Sequence, residues 1–166
     1  MRYKLFAIMC LLLLGLATSE PTAKAQTTPQ ITTNSEPSFS AHKIAIDTQL
    51  ARLRGTVNRV PYVFSGDTRR GWDCSGLVAW FYRQLGQEIP HSANKQAHLG
   101  TRVSVPKPGD IVAFAYAKRT DFYHSGIYLG HGKIINANLY YGTTVIETIK
   151  DYKYSQIRYI RLNERG

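Results

Sequence analysis

The apolar residues of this chain change their period near Ile111, and that change decides the class of fold. Upstream, Ile44, Ile46, Leu50 and Leu53 recur near helical spacing. Ser40 can cap that helix, and Gly55 can end it. A second helix is predicted after Asp73, its N-cap, with Leu77, Val78, Trp80, Phe81 and Leu85 as a wide apolar stripe and Gly86 as a C-terminal stop. Downstream, residues 111–116, 125–129, 133–138, 143–148 and 157–162 read as short strands separated by Gly, Asn or Asp turns. Helices first and antiparallel strands afterwards predict an α+β fold, with the helices packed on one face of a sheet of about five strands.

The first 25 residues read differently. Arg2 and Lys4 precede an almost wholly apolar stretch, residues 5–16, and Ala23-Lys24-Ala25 offers a small-x-small cleavage site before Gln26. Ala17-Thr18-Ser19 is an earlier alternative. This is the layout of a secretory signal peptide, and its apolar stretch falls short of the ~20 residues that cross a bilayer, so no stable membrane anchor is expected. Residues 26–40, rich in Thr, Ser, Pro and Gln, read as a flexible linker, which leaves residues 41–166 as one catalytic-sized domain. The expected product is secreted or periplasmic. The full sequence carries a formal charge of +10, which points to anionic surroundings such as cell-wall polymer. The lysines and arginines are scattered, and export without a basic patch argues against nucleic acid.

Export sharpens the meaning of the two cysteines. Cys10 lies in the segment to be removed, which leaves Cys74 alone and unpaired. Its neighbours, Asp73-Cys74-Ser75-Gly76, stand where the second helix should begin, and free N–H groups and the helix dipole there favour a thiolate. A thiolate nucleophile needs a base, and the base needs a third group to hold its tautomer. Of the histidines, His42 borders the linker, His91 and His98 fall in a polar segment, and His131 sits at a turn between glycines. His124 opens a predicted strand that should pack near the Cys74 helix, and it is the candidate base.

The third member follows from strand register. A two-residue His131-Gly132 loop would set Asn136 opposite Ile127, facing away from His124. A three-residue loop, Gly130-His131-Gly132, sets Asn136 opposite Gly126 and brings both side chains to one face as diagonal neighbours. The latter also gathers Ile127, Leu129, Ile135 and Ala137 on the opposite, core-facing side, so it is the predicted arrangement. No Cys or His pair has zinc-ligand spacing, and neither a metal nor another cofactor is expected.

Five segments taken in order carry a resemblance. Tyr62-Val63-Phe64-Ser65-Gly66, Asp73-Cys74-Ser75-Gly76-Leu77-Val78, Pro90 through Gln96, Pro108-Gly109-Asp110-Ile111-Val112-Ala113-Phe114 and His124-Ser125-Gly126-Ile127-Tyr128-Leu129-Gly130 resemble the NlpC-type cell-wall peptidases, a papain-like family. The resemblance implies a papain-like fold and hydrolysis of peptidoglycan stem peptides, typically between γ-D-glutamate and a diamino acid. It implies Cys74 as nucleophile, His124 as base and Asn136 as the residue orienting it, where many members have histidine. Tyr62 resembles the family's active-site tyrosine, which holds substrate or the oxyanion. Asp73 and Ser75 are implied contacts for the stem peptide's free amine, beside their plainer role in capping the helix. Ser65-Gly66 stands where the family has a glycine pair. A papain-like acyltransferase or amidase would use the same thioester on another substrate, and a non-catalytic basic wall-binding module would need no thiol.

Overall fold

The computed structural model describes residues 39–153 and 155–163, so the signal peptide and most of the linker expected from the sequence lie outside the described residues. Helix α1 spans Phe39–Arg54 and buries Leu50 and Leu53, with Ile46 packed beside them. Ile44, two residues before Ile46 and so on the opposite side of the helix, is 65% exposed. A two-stranded ribbon follows, β1 (Asp67–Thr68) and β2 (Gly71–Trp72). It leads into α2 (Cys74–Arg83) and then the short α3 (Ala93–Gln96).

The remaining strands are β3 (Thr101–Val103), β4 (Ile111–Tyr116), β5 (Phe122–Gly130), β6 (Lys133–Asn138), β7 (Thr143–Thr148) and β8 (Ser155–Arg161). They form one antiparallel sheet of six strands in the order β3-β8-β4-β5-β6-β7. The α+β fold expected from the change of period is the one observed. The additional strand is β3, whose three residues are too few to show an alternation and are held by pairing with β8. Strand β5 starts at Phe122, so His124 lies inside it and not at its first residue.

The two sheet faces have separate tasks. Ile111, Ala113, Ala115, Ile127, Leu129, Ile135 and Ala137 pack against Leu77, Val78 and Phe81 of α2 and against α1. On the other face Val112, Phe114 and Ile134 form a smaller cluster, closed over by Tyr152 and Ile149 of a 3-10 turn, Ile149–Tyr152. Because Phe114 pairs with His124 and Val112 with Gly126, His124 belongs to this second face.

The β5–β6 hairpin reaches the expected register by a different turn. Gly130 pairs with Lys133, so the loop is the two residues His131 and Gly132, both at positive φ (53° and 69°), as a primed hairpin turn requires. An irregularity between Tyr128 and Gly130 adds the missing residue, after which Tyr128 pairs with Ile134 and Ile127 with Ile135. Continued along the strands, that register sets Asn136 opposite Gly126. The two-residue turn alone would have turned Asn136 into the core; the bulge restores its face.

Candidate active site

Cys74 stands at the first residue of α2, where the chain has just left an extended Asp73. The Asp73 carboxylate caps the helix by accepting from the Gly76 N–H at 2.7 Å. It also accepts from the Ser75 hydroxyl at 3.0 Å and the Ser65 N–H at 3.0 Å, and lies 2.8 Å from His91 Nε2. Asp73 therefore ties the helix start to the 62–66 loop and to the segment before α3. His91, in a polar stretch with no periodicity, offered no sequence sign of this contact.

Gly76 permits this closeness, since a Cβ there would collide with the Gly66 carbonyl. Ser65 adopts φ 57°, the left-handed region that glycine favours, so a serine holds the conformation expected of the first glycine of a pair.

Strand β6 pairs with β5 only from Ile127 onward, so the stretch of β5 that carries His124 is paired with β4 alone. The α2 start meets β5 there, and the Ser125 backbone N–H is near enough to the Cys74 sulfur to favour its thiolate. The backbone N–H groups of Cys74 and Ser75 act in the same direction. The thiol is thus held beside the residue that follows His124 in the chain. Burial pushes the thiol up and the Asp73 charge adds to that, while the three N–H groups pull the other way without winning. The helix start alone predicted the opposite direction; desolvation outweighs it.

His124 is drawn down from its ordinary range by burial, against the raising influence of Asn136, Glu147 and Asp73. Its Nε2 lies 3.0 Å from Asn136 Oδ1, the contact predicted from register. Asn136 is fully buried, and its Nδ2 donates to Glu147 Oε2 at 2.8 Å. Gly126 makes room, because a Cβ there would come within 2.8 Å of the Ile135 carbonyl and 3.0 Å of Asn136 Cβ. Tyr152 stacks on Phe114 with ring centroids 4.1 Å apart, and its hydroxyl is 3.4 Å from His124 Nε2.

Tyr62 is half-buried, and its phenol is pushed up by burial first, then by the charges of Cys74 and Asp73. Its hydroxyl therefore keeps its proton within electrostatic reach of the thiol. Ser75 is buried and spends its hydroxyl on Asp73.

Gln96 is the strut between the two halves. Fully buried, it donates through Nε2 to the carbonyls of Ser75 (2.9 Å) and Pro90 (2.8 Å), and its Oε1 accepts from the Ser125 hydroxyl at 2.8 Å. Sequence reading marked Gln96 as part of a motif without finding this task. Glu147 and Tyr152 were missed altogether, since each meets the site only through tertiary contact.

Comparison with known proteins matches residues 59–163 to the NlpC/P60 family. The chain belongs to this family. γ-DL-glutamyl hydrolase of Bacillus subtilis (strain 168) is 42% identical over 106 residues, covering 61% of this chain and 26% of that protein. The probable endopeptidase NlpC of Escherichia coli (strain K12) is 32% identical over 142 residues, covering 83% of this chain and 84% of the relative. Among solved structures, the NlpC/p60 domain of the peptidoglycan hydrolase SagA superposes with a TM-score of 0.59 at 27% identity, over 71% of this chain and 97% of that one. The chain thus spans about a quarter of the first relative and most of the other two. No described helix of this NlpC/P60 protein is long and apolar enough to cross a membrane.

Proposed function

We propose that this NlpC/P60 protein is an exported cysteine peptidase that hydrolyses peptidoglycan stem peptides at the bond from γ-D-glutamate to a diamino acid. The single observation that carries the reading is the 3.0 Å contact of His124 Nε2 with Asn136 Oδ1, on a strand whose Ser125 is tied through Gln96 to the Ser75 carbonyl beside Cys74. An amide oxygen accepts only, so it selects the imidazole with its proton on Nε2 and leaves the Nδ1 lone pair as the base.

Thiol and imidazole are both pushed toward their neutral forms, so the proton moves as attack begins. Nδ1 of His124 takes the thiol proton while the sulfur bonds to the γ-glutamyl carbonyl carbon. The resulting oxyanion is held by the Cys74 backbone N–H, with the Tyr62 hydroxyl as second donor. His124 returns the proton to the departing amine of the diamino acid, and the C–N bond breaks to leave a thioester. Water, deprotonated by His124, then releases the carboxylate and regenerates the thiol. Asp73 and Ser75, already joined to each other, would face the free amine of the stem peptide.

The test is incubation of purified mature protein and its Cys74→Ala variant with defined muropeptides, followed by mass spectrometry. Cleavage after γ-D-glutamate by the wild type and none by the variant is expected. Products cut elsewhere would overturn the bond assignment, and equal effects of both proteins would favour a non-catalytic wall-binding module. A second reading keeps the chemistry and changes the substrate to an anionic γ-linked glutamyl chain, which suits a net charge of +10. Including such a polymer in the same assay decides between them. Export is checked by N-terminal sequencing of the secreted protein, where a chain starting at Gln26 is expected.

A further inference from the structure

Among the described residues, both groups within hydrogen-bonding reach of His124 Nε2 are ambivalent. The Asn136 carboxamide has an acceptor end and a donor end of nearly the same shape, and the Tyr152 hydroxyl either donates or accepts. If the amide turned its NH2 to the ring, or the phenol aimed its proton there, Nε2 would have to accept. The proton would then sit on Nδ1, and the lone pair needed on that side would be lost.

One carboxylate oxygen decides both. Glu147 Oε2 accepts from Asn136 Nδ2 at 2.8 Å, from Tyr152 OH at 2.8 Å and from Asn138 Nδ2 at 2.9 Å. A carboxylate only accepts, so Asn136 must send its NH2 there and its Oδ1 to the imidazole. Tyr152 has one proton, and once Glu147 holds it only a lone pair remains for Nε2, 3.4 Å away. Burial and the neighbouring Glu147 charge keep the Tyr152 phenol protonated. The strand register supports this geometry: Glu147 pairs with Ile134, on the same face as Asn136 and diagonal to it.

Resting on the peptidase reading above, we propose that Glu147 is a positioning residue. It sets the polarity of Asn136 and Tyr152 together and thereby selects the Nε2-protonated tautomer of His124.

The experiment compares wild type with Glu147→Ala, Glu147→Gln and the double variant Glu147→Ala/Tyr152→Phe. Three readouts are taken: nitrogen NMR of the His124 ring, the alkylation rate of Cys74 by iodoacetamide, and kcat and KM on a muropeptide. In Glu147→Ala, ring signal shifts toward Nδ1-H, and alkylation and kcat fall by roughly tenfold to a hundredfold, part of a general base's worth, with KM little changed. Glu147→Gln falls between, since its amide accepts but is itself ambivalent. The double variant recovers part of the loss, because the competing phenol proton is gone; a merely structural role predicts a further loss instead. A ring that stays Nε2-protonated in Glu147→Ala, or in Glu147→Gln should the alanine variant fail to fold, overturns the proposal. If wild-type protein leaves muropeptides uncut, the peptidase reading falls, while NMR and alkylation still decide the tautomer.

Discussion

The Ser125 hydroxyl donates to Gln96 Oε1 at 2.8 Å, and through that bond β5 is fastened to the start of α2. Gln96 Nε2 completes the link at the Ser75 carbonyl, one residue from Cys74. The strand bearing His124 and the helix bearing Cys74 are thus joined by a single buried amide.

Replacing Gln96 by alanine should therefore take from the buried Ser125 hydroxyl its acceptor and from the Ser75 and Pro90 carbonyls one donor each, the latter keeping the Ser92 N–H. The expected loss is about 2–3 kcal/mol of stability, read as a lowered thermal midpoint. Activity should fall further than stability explains, because the separation of Cys74 and His124 is no longer held. Unchanged kcat in the folded variant would remove Gln96 from the site's framework.

Gly76→Ala brings a methyl group against the Gly66 carbonyl, with His91 Nε2 within 2.9 Å. Helix propensity favours alanine, but the collision wins. A loss of about 1–3 kcal/mol is expected in urea unfolding, and a gain in stability would mean that the 62–66 loop does not lie against α2.

Asn136→Ala frees the imidazole to choose its tautomer and leaves Glu147 without one of its donors. Turnover of a muropeptide should fall by about a hundredfold, with KM changed much less. Equal kcat for the variant would place the orienting group elsewhere.

The depressed titration of His124 has two pH signatures. The base form survives into acid, so the acid limb of kcat/KM should lie below the ordinary imidazole range near ~6.5. Stability moves the other way: as pH falls past the unfolded value the unfolded chain binds the proton first, so the folded state loses stability until the folded value is passed. Comparing urea midpoints of wild type and His124→Gln between about pH 7 and about pH 5 isolates this contribution, and parallel curves would exclude it.

Much of this was legible because local chemistry and period agreed. The stripe of α2, its Asp73 cap and the short apolar runs of β4 through β7 between turn residues each signal their own structure, and the core-facing set Ile127, Leu129, Ile135 and Ala137 fixed which side of the hairpin Asn136 takes. The turn itself misled, since His131-Gly132 is a two-residue loop and the bulge before it carries no residue signature beyond Gly130. The sign of the Cys74 shift was also hidden: helix starts are visible in sequence, whereas the packing that desolvates the sulfur is not. Glu147 and Tyr152 sit on neighbouring elements with unremarkable spacing, so only the folded sheet reveals that they converge behind the imidazole.

The surplus residue in the β5–β6 hairpin also sets a limit on redesign. Were it kept but drawn into a regular ladder running on from Gly130 and Lys133, Leu129 would face Ile134 and Ile127 would face Asn136. Every side chain of β6 would then swap sides, the carboxamide would be driven among the isoleucines, and the imidazole would lose its companion. With this turn and this number of residues, a regular ladder and the contact of His124 with Asn136 are mutually exclusive.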